Sequence, residues 1–193
     1  MKKTIAVLLA VWAVEAGAAP GGNAGPAQLG SRVPPFTATV TDDGGSKSTT
    51  HAFDSRQSKR VTAYLFVGTT CPATNAYASR MSELAKTYGA KGVDFIYIFP
   101  NRNDEKAAIA AFHKQKQLGG RYIDEGGAHL AQLFGAQKTS ELFLADKRGT
   151  IVYHGAVDDS RDPSAVKQRY LKTALDEVLA GKSVTTPQSD VFA

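Results

Sequence analysis

The stretch Tyr64-Leu65-Phe66-Val67-Gly68-Thr69-Thr70-Cys71-Pro72-Ala73-Thr74-Asn75 constrains this chain more than any other. An apolar, β-favouring run stops at a Gly-Thr-Thr turn, and the only cysteine is followed at once by a proline. That order places one thiol at a strand-to-helix junction. Cys71 takes the N-cap position and Pro72 the first helical position, where a fixed φ costs nothing. The free N–H groups and the positive dipole end of such a helix favour a thiolate over a thiol. Cys71 is therefore the candidate nucleophile, with Pro72 holding the helix start beneath it.

The 193 residues suffice for one domain with a real core, and 42% hydrophobic and 21% charged content are ordinary globular values. The first residues read as a signal peptide over 1–18: Lys2 and Lys3, an apolar run from Thr4 to Val14, and the A-x-A site Ala16-Gly17-Ala18. No later stretch is long and apolar enough for a membrane span. The reading is an exported chain, periplasmic or secreted, with a Gly/Ala/Pro-rich linker over 19–31, a domain over 32–183 and a polar tail over 184–193. Loss of Lys2, Lys3 and Glu15 leaves it mildly basic. Lysine and arginine do not cluster with aromatics, so no nucleic-acid partner is expected. Export permits disulfides, but one cysteine cannot form one internally. The thiol is then buried and inert, paired between molecules, or reactive, and its place at a helix start points to reactivity.

The hydrophobic pattern predicts strand Phe36–Val40 and a return arm Ser48–Phe53 across Asp42-Asp43-Gly44-Gly45. A strand over Arg60–Val67 lacks alternation and is expected to be buried on both faces. A helix follows over Ala73–Tyr88, with Arg80, Glu83 and Lys86 toward water. Next come a buried strand Val93–Phe99, a helix Asp104–Leu118, an extended piece Arg121–Asp124 and a short helix Ala128–Phe134. A hairpin Glu141–Ala145/Thr150–His154 and a helix from Pro163 or Ser164 to about Ala180 close the domain. Two parallel strands joined by a right-handed crossover, with antiparallel strands added beside them, give an α/β fold: a mixed central sheet with helices on both faces.

Four motifs carry a resemblance: Cys71-Pro72-x-x-Asn75-x-Tyr77, Gly92-Val93-Asp94-Phe95, Glu141-Leu-Phe-Leu-Ala-Asp146-x-x-Gly149-x-Ile151, and Tyr153-His154-Gly155-Ala156-Val157-Asp158-Asp159. Together they resemble the thioredoxin-like redoxins of the alkyl hydroperoxide reductase/thiol-specific antioxidant superfamily, exported branch, over roughly Gly30 to Ser183. The resemblance implies a thioredoxin-like fold and a role in cell redox homeostasis as a thiol-dependent antioxidant or oxidoreductase. The chain departs from the pattern at defined positions. Thr74 stands where a second thiol would be, so no dithiol exchange within the chain is possible. Gly68 and Tyr64 stand where the peroxiredoxin motif has Thr and Pro, leaving Thr69 or Thr70 as the substitute hydroxyl. Ser140, after Thr139, stands where the fold has a cis-proline opposite the cysteine. A cis bond without proline costs about 3 kcal/mol, so Thr139-Ser140 is expected to be trans or locally reshaped.

The resulting site is Cys71 as nucleophile, Thr70, Pro72 and Thr74 in support, and Thr139 and Ser140 as the substrate-docking edge. It implies no cofactor and no metal: His51, His113, His129 and His154 share no ligand spacing with each other or with Cys71. The implied partner is an external thiol reductant or a disulfide-bearing protein. Arg80 and Arg148 are basic candidates near the thiolate, with structural or solvated roles expected of both. Asp158-Asp159 is read as a cap for the last helix, with cation binding as the alternative, and Asn75 and Tyr77 as supports of the first, with Tyr77 lining the pocket as the alternative. The competing function is a redox-inactive binding or chaperone-like module that uses the edge at Ser140; a cluster or heme site at an open Cys71 is a weaker third.

Overall fold

The computed structural model describes residues 27–42 and 45–191. The expected leader, the linker up to residue 26 and the Asp43-Gly44 part of the first turn lie outside the described residues. The strands are β1 (Phe36–Thr41), β2 (Ser48–Phe53), β3 (Thr62–Phe66), β4 (Asp94–Phe99), β5 (Arg121–Asp124), β6 (Leu142–Ala145) and β7 (Ile151–Gly155). The helices are α1 (Pro72–Gly89), α2 (Lys106–Gln115), α3 (His129–Phe134) and α4 (Tyr170–Leu179). The strands form one seven-stranded sheet in the order β2-β1-β5-β4-β3-β6-β7. β3, β4 and β5 run parallel, and the remaining pairs are antiparallel. This is the mixed α/β sheet of a thioredoxin-like fold.

Every residue of β3 is buried, which explains its continuous apolar run. Successive side chains alternate between the faces. Ala63 and Leu65 pack with residues of α1, α2 and α4, whereas Tyr64 and Phe66 pack with α3 and the segment before β1. The register Phe66↔Ile98 sets the carboxyl ends of β3 and β4 side by side. β6 runs antiparallel to β3, with Leu142 opposite Leu65, so its first residues arrive at the same end. Three loops therefore meet there: 67–71, 100–105 and 136–141.

The structure departs from the sequence pattern in five places. α2 begins at Lys106, so Asp104 lies in the preceding loop and is buried. The last helix does not start at Pro163: a short 3₁₀ turn, Pro163–Ala165, is capped by the Asp162 side chain and gives way to extended backbone at Val166. The Asp159 carboxylate accepts from Lys167 N and the Asp159 amide donates to Gln168 O, holding this segment out of helix until α4 begins. Residues 27–31, at the end of the expected linker, are docked. Ala27 N donates to Leu133 O, Gly30 N to Ile151 O, and Ile151 N to Ser31 O. The tail is docked too. Pro187 O accepts from His154 N and Ser189 N donates to His154 O, so residues 187–189 cover the free edge of β7. Ser189 Oγ also meets the Tyr153 hydroxyl at 2.7 Å. A Cβ on Gly155 would collide with that serine, so the docking needs glycine there.

Arg80 departs, fifth, in orientation alone, since a structural role is among those expected of it. It does not face water: its guanidinium pairs with Asp158 at 2.7 Å, with side-chain exposures of 11% and 4%. It also donates to the carbonyls of Ala76, Ser160 and Arg161. Asp158 thus ties the loop after β7 to α1, and neither it nor Asp159 caps α4, whose start carries no side-chain cap.

Gly120 tests how tightly β5 is seated. Its φ is +105°, and a Cβ there would lie 2.5 Å from Phe95 O. Gly120→Ala is expected to destabilise the protein by more than about 1 kcal/mol, read from the urea midpoint at unchanged m-value.

Candidate functional site

α1 starts where the sequence places it, with Cys71 at the N-cap in extended conformation (φ −71°, ψ 122°) and Pro72 at the first helical position. Cys71 O accepts the first helical bond from Asn75 N at 3.0 Å. The Asn75 side-chain amide donates to the carbonyls of Thr69 and Cys71, closing the turn over the helix start. Cys71 is partly exposed, and its sulfur lies 2.8 Å from Thr139 Oγ1. Burial works to raise the thiol pKa. The Thr139 hydroxyl, the Thr74 amide and hydroxyl, and the Ala73 amide outweigh it, and the pKa lies below the ordinary thiol value. These first-turn groups act on the sulfur without closing a full capping hydrogen bond.

Thr74 and Ser140 lie beneath the sulfur. Thr74 is fully buried, accepts from Gly68 N at 3.2 Å and meets Ser140 Oγ at 3.3 Å. No peptide bond among the described residues is cis, and Ser140 has φ +71°, so the loop is reshaped where the fold ordinarily carries a cis-proline. A serine in the left-handed region stores local strain, here held by the bond from Ser140 N to Phe66 O at 2.6 Å.

The structure therefore brings together Cys71, Thr74, Thr139 and Ser140. Thr70 is exposed on the turn and is not bonded to the sulfur; Pro72 is exposed and shapes the helix start. The hydroxyl used in the turn is that of Thr69, which, with its own amide, donates to the Asp104 carboxylate. Asn101 Nδ2 donates to the other Asp104 oxygen at 3.0 Å. The same Asn101 nitrogen would lie 2.7 Å from a Cβ on Gly68. A threonine at position 68, as in the peroxiredoxin motif, would require the Asn101 side chain to move from its place beside Asp104. Tyr77 is buried and does not line the opening; Arg80 stacks over its ring at 4.6 Å.

A family profile described as Redoxin matches residues 28–170. The chain belongs to the redoxin family. A hypothetical protein from Sinorhizobium meliloti has a similar structure, with TM-score 0.73 and 26% identity, covering 86% of this chain and 91% of that one. An uncharacterized conserved protein from Geobacillus kaustophilus has TM-score 0.72 and 25% identity, covering 84% and 87%. The mitochondrial 2-cys peroxiredoxin from Plasmodium falciparum, at TM-score 0.59 and 13% identity over 79% and 93%, shares the fold. No curated protein matches the sequence.

In this redoxin neither arginine proposed from sequence is paired to the thiol. Arg80 is held by Asp158, and Arg148 is 80% exposed on the β6–β7 turn, bonded to Asp146. Asn101 and Asp104 escaped the sequence reading, because Asp104 fitted a helix first turn. Their signal was position: ligands of parallel sheets collect outside the carboxyl ends of the strands. Among the described residues no group of His, Cys, Asp or Glu side chains converges in a way that could hold a metal ion.

Two outcomes follow from these bonds. Asp104→Ala removes the acceptor for Thr69 and Asn101 and is expected to cost about 1–3 kcal/mol, read by urea denaturation. For Glu141, burial works to raise the pKa, but the His154 ring and the Gln137 and Lys138 amides outweigh it, and the folded pKa is lowered. Its contribution is thus full above the unfolded value of about 4.3 and lost as pH falls through the folded one. Thermal melts across that range should show Glu141→Gln losing part of the acid-dependent decline.

Proposed function

We propose that this redoxin is an exported thiol-dependent oxidoreductase working through Cys71 and recycled by an external thiol. The observation that carries the reading is the Cys71 sulfur at the first turn of α1 with the Thr139 hydroxyl 2.8 Å away, a setting that lowers its pKa. Export rests on Lys2-Lys3, the apolar run and Ala16-Gly17-Ala18.

Of the two oxidants such a thiolate can reduce, the geometry favours a disulfide. Peroxide cleavage is helped by donors and cations that receive charge on the leaving oxygen. Here Gly68 supplies no hydroxyl where the motif has threonine, Asn101 Nδ2 is bound to Asp104 beside it, and both candidate arginines are bound elsewhere. In disulfide exchange the Cys71 thiolate attacks one sulfur of the substrate, an S–S bond forms to Cys71, and the other sulfur leaves as a thiolate. An external thiolate then attacks the Cys71 sulfur of the mixed disulfide, and the remaining substrate sulfur leaves as a thiolate. A second external thiolate attacks the external sulfur now bound to Cys71, forms the external disulfide and releases the Cys71 thiolate. The substrate disulfide is reduced to two thiols, and the two external thiols, oxidised to their disulfide, supply the two electrons. Thr74 in place of a second cysteine makes the external thiol obligatory. Thr139 presents the edge against which the substrate docks, the buried Ser140 shapes that edge from beneath, Thr74 and Pro72 hold the helix start, and Thr70 lies exposed at the rim.

Iodoacetamide alkylation against pH is expected to show a Cys71 midpoint below the free-thiol value of about 8.5. Mass spectrometry after exposure to a low-molecular-weight disulfide should show a Cys71 adduct removed by added thiol and absent from Cys71→Ser. A midpoint at or above the free value, with no adduct, would replace this reading with the redox-inactive binding module. Faster oxidation by peroxide than by disulfide, trapped as sulfenic acid, would make it a peroxidase. Mass analysis of the exported protein should place its first residue at Ala19.

A further inference from the structure

The loop that brings Thr139 to the sulfur is bound by a side chain that hydrogen-bonds to neither of them. Glu141 directly precedes β6 and is only 6% exposed. Its side chain turns back along the loop that precedes it. One carboxylate oxygen accepts from Gln137 N at 2.7 Å and from Lys138 N at 3.0 Å. The other meets His154 Nε2 at 2.5 Å, across from the neighbouring strand β7. The His154 ring is itself fixed, stacked on Phe143 with centroids 4.2 Å apart and planes 9° from parallel. The backbone of His154 is held on its other side by Pro187 and Ser189 of the docked tail.

Thr139 is thus suspended between two anchors. On one side the amides of residues 137 and 138 are bound to the carboxylate. On the other, Ser140 N and Glu141 O are bound to the backbone of Phe66. Between them the chain has one free residue, and its hydroxyl faces Cys71 Sγ. A buried carboxylate that binds backbone amides is costly unless its remaining oxygen is also satisfied, and the His154 ring does that.

We propose that Glu141, seated on His154, is a positioning residue for Cys71, holding the 137–140 loop so that the Thr139 hydroxyl stabilises the thiolate. This rests on Cys71 as the reactive thiol. Glu141 acts on the sulfur only through Thr139, and that makes a double-mutant cycle decisive.

The readout is the pH midpoint of Cys71 alkylation in the whole protein, which a loss of stability alone does not move. Thr139→Ala is expected to raise it by about 0.5–1 unit, the effect of removing one hydrogen bond to the charged form. Thr139→Ser, which keeps the hydroxyl, should restore it. Glu141→Gln should raise it in the same direction, and Glu141→Gln added to Thr139→Ala should raise it no further than Thr139→Ala alone. His154→Phe keeps a ring over Phe143 but removes the donor, and should shift the midpoint as Glu141→Gln does; it serves where Glu141→Gln does not fold. An unmoved midpoint in Glu141→Gln, or in His154→Phe where that stands in, overturns the proposal. So does an unmoved midpoint in Thr139→Ala, or shifts that add in full. The assay does not depend on turnover: a protein that shows these shifts but exchanges no disulfide keeps the positioning role and loses the oxidoreductase reading.

Discussion

The site depends on a pair of backbone hydrogen bonds at Phe66, the last residue of β3. Phe66 O accepts from Ser140 N, and Phe66 N donates to Glu141 O. These two bonds continue the β3–β6 ladder past its last paired residues and lock the start of β6 beside the end of β3. One strand leads into Cys71 and the other comes out of Thr139, so the same pairing that completes the sheet closes the distance between sulfur and hydroxyl. A buried backbone group left unpaired is expensive, which makes this register hard to slip.

Around that pairing, the polar groups at the end of the sheet satisfy one another in two separate sets. Asp104 and Asn101 hold the Gly68–Thr69 turn from the β4 side. Glu141 and His154 hold the 137–140 loop from the β7 side. Thr74 sits between, bonded to Gly68 and Ser140. A hydroxyl at position 74, where a dithiol member of the family has sulfur, joins two loops rather than resolving a disulfide. The left-handed Ser140 belongs to the same arrangement: it turns the chain so that the preceding threonine looks at the sulfur and the following carboxylate looks away from it.

Much of the fold is legible in the residues. The buried run of β3, the Gly-Thr-Thr stop, proline after cysteine and the turn Asp146-Lys147-Arg148-Gly149 each carry local signals that survive in the structure. The α/β order follows from them, as does the nearness of Thr139 and Ser140 to Cys71 once the resemblance is recognised. What the sequence hides is polar and nonlocal. Asp104 and Arg80 looked like surface charges on helices, because an acidic residue before a helix and a basic one on its flank are ordinary there. Their partners, Thr69 and Asp158, are 35 and 78 residues away along the chain. The polar tail likewise carries no sign that it covers an edge strand; the mark of its approach is Gly155, where a Cβ would meet Ser189.

The sequence by itself determined that one sulfur would stand at the beginning of a helix after a buried strand, and that no second thiol could answer it. Those facts follow from chemistry between near neighbours: a proline's fixed φ, unpaired amides at a helix start, a cysteine count of one. Only the tertiary structure decided what faces that sulfur. Thr139 reaches it from 68 positions away, on a loop whose amides are bound by the Glu141 carboxylate, itself paired with His154 of β7. Such contacts are fixed by sheet order and register, which no local pattern of residues encodes.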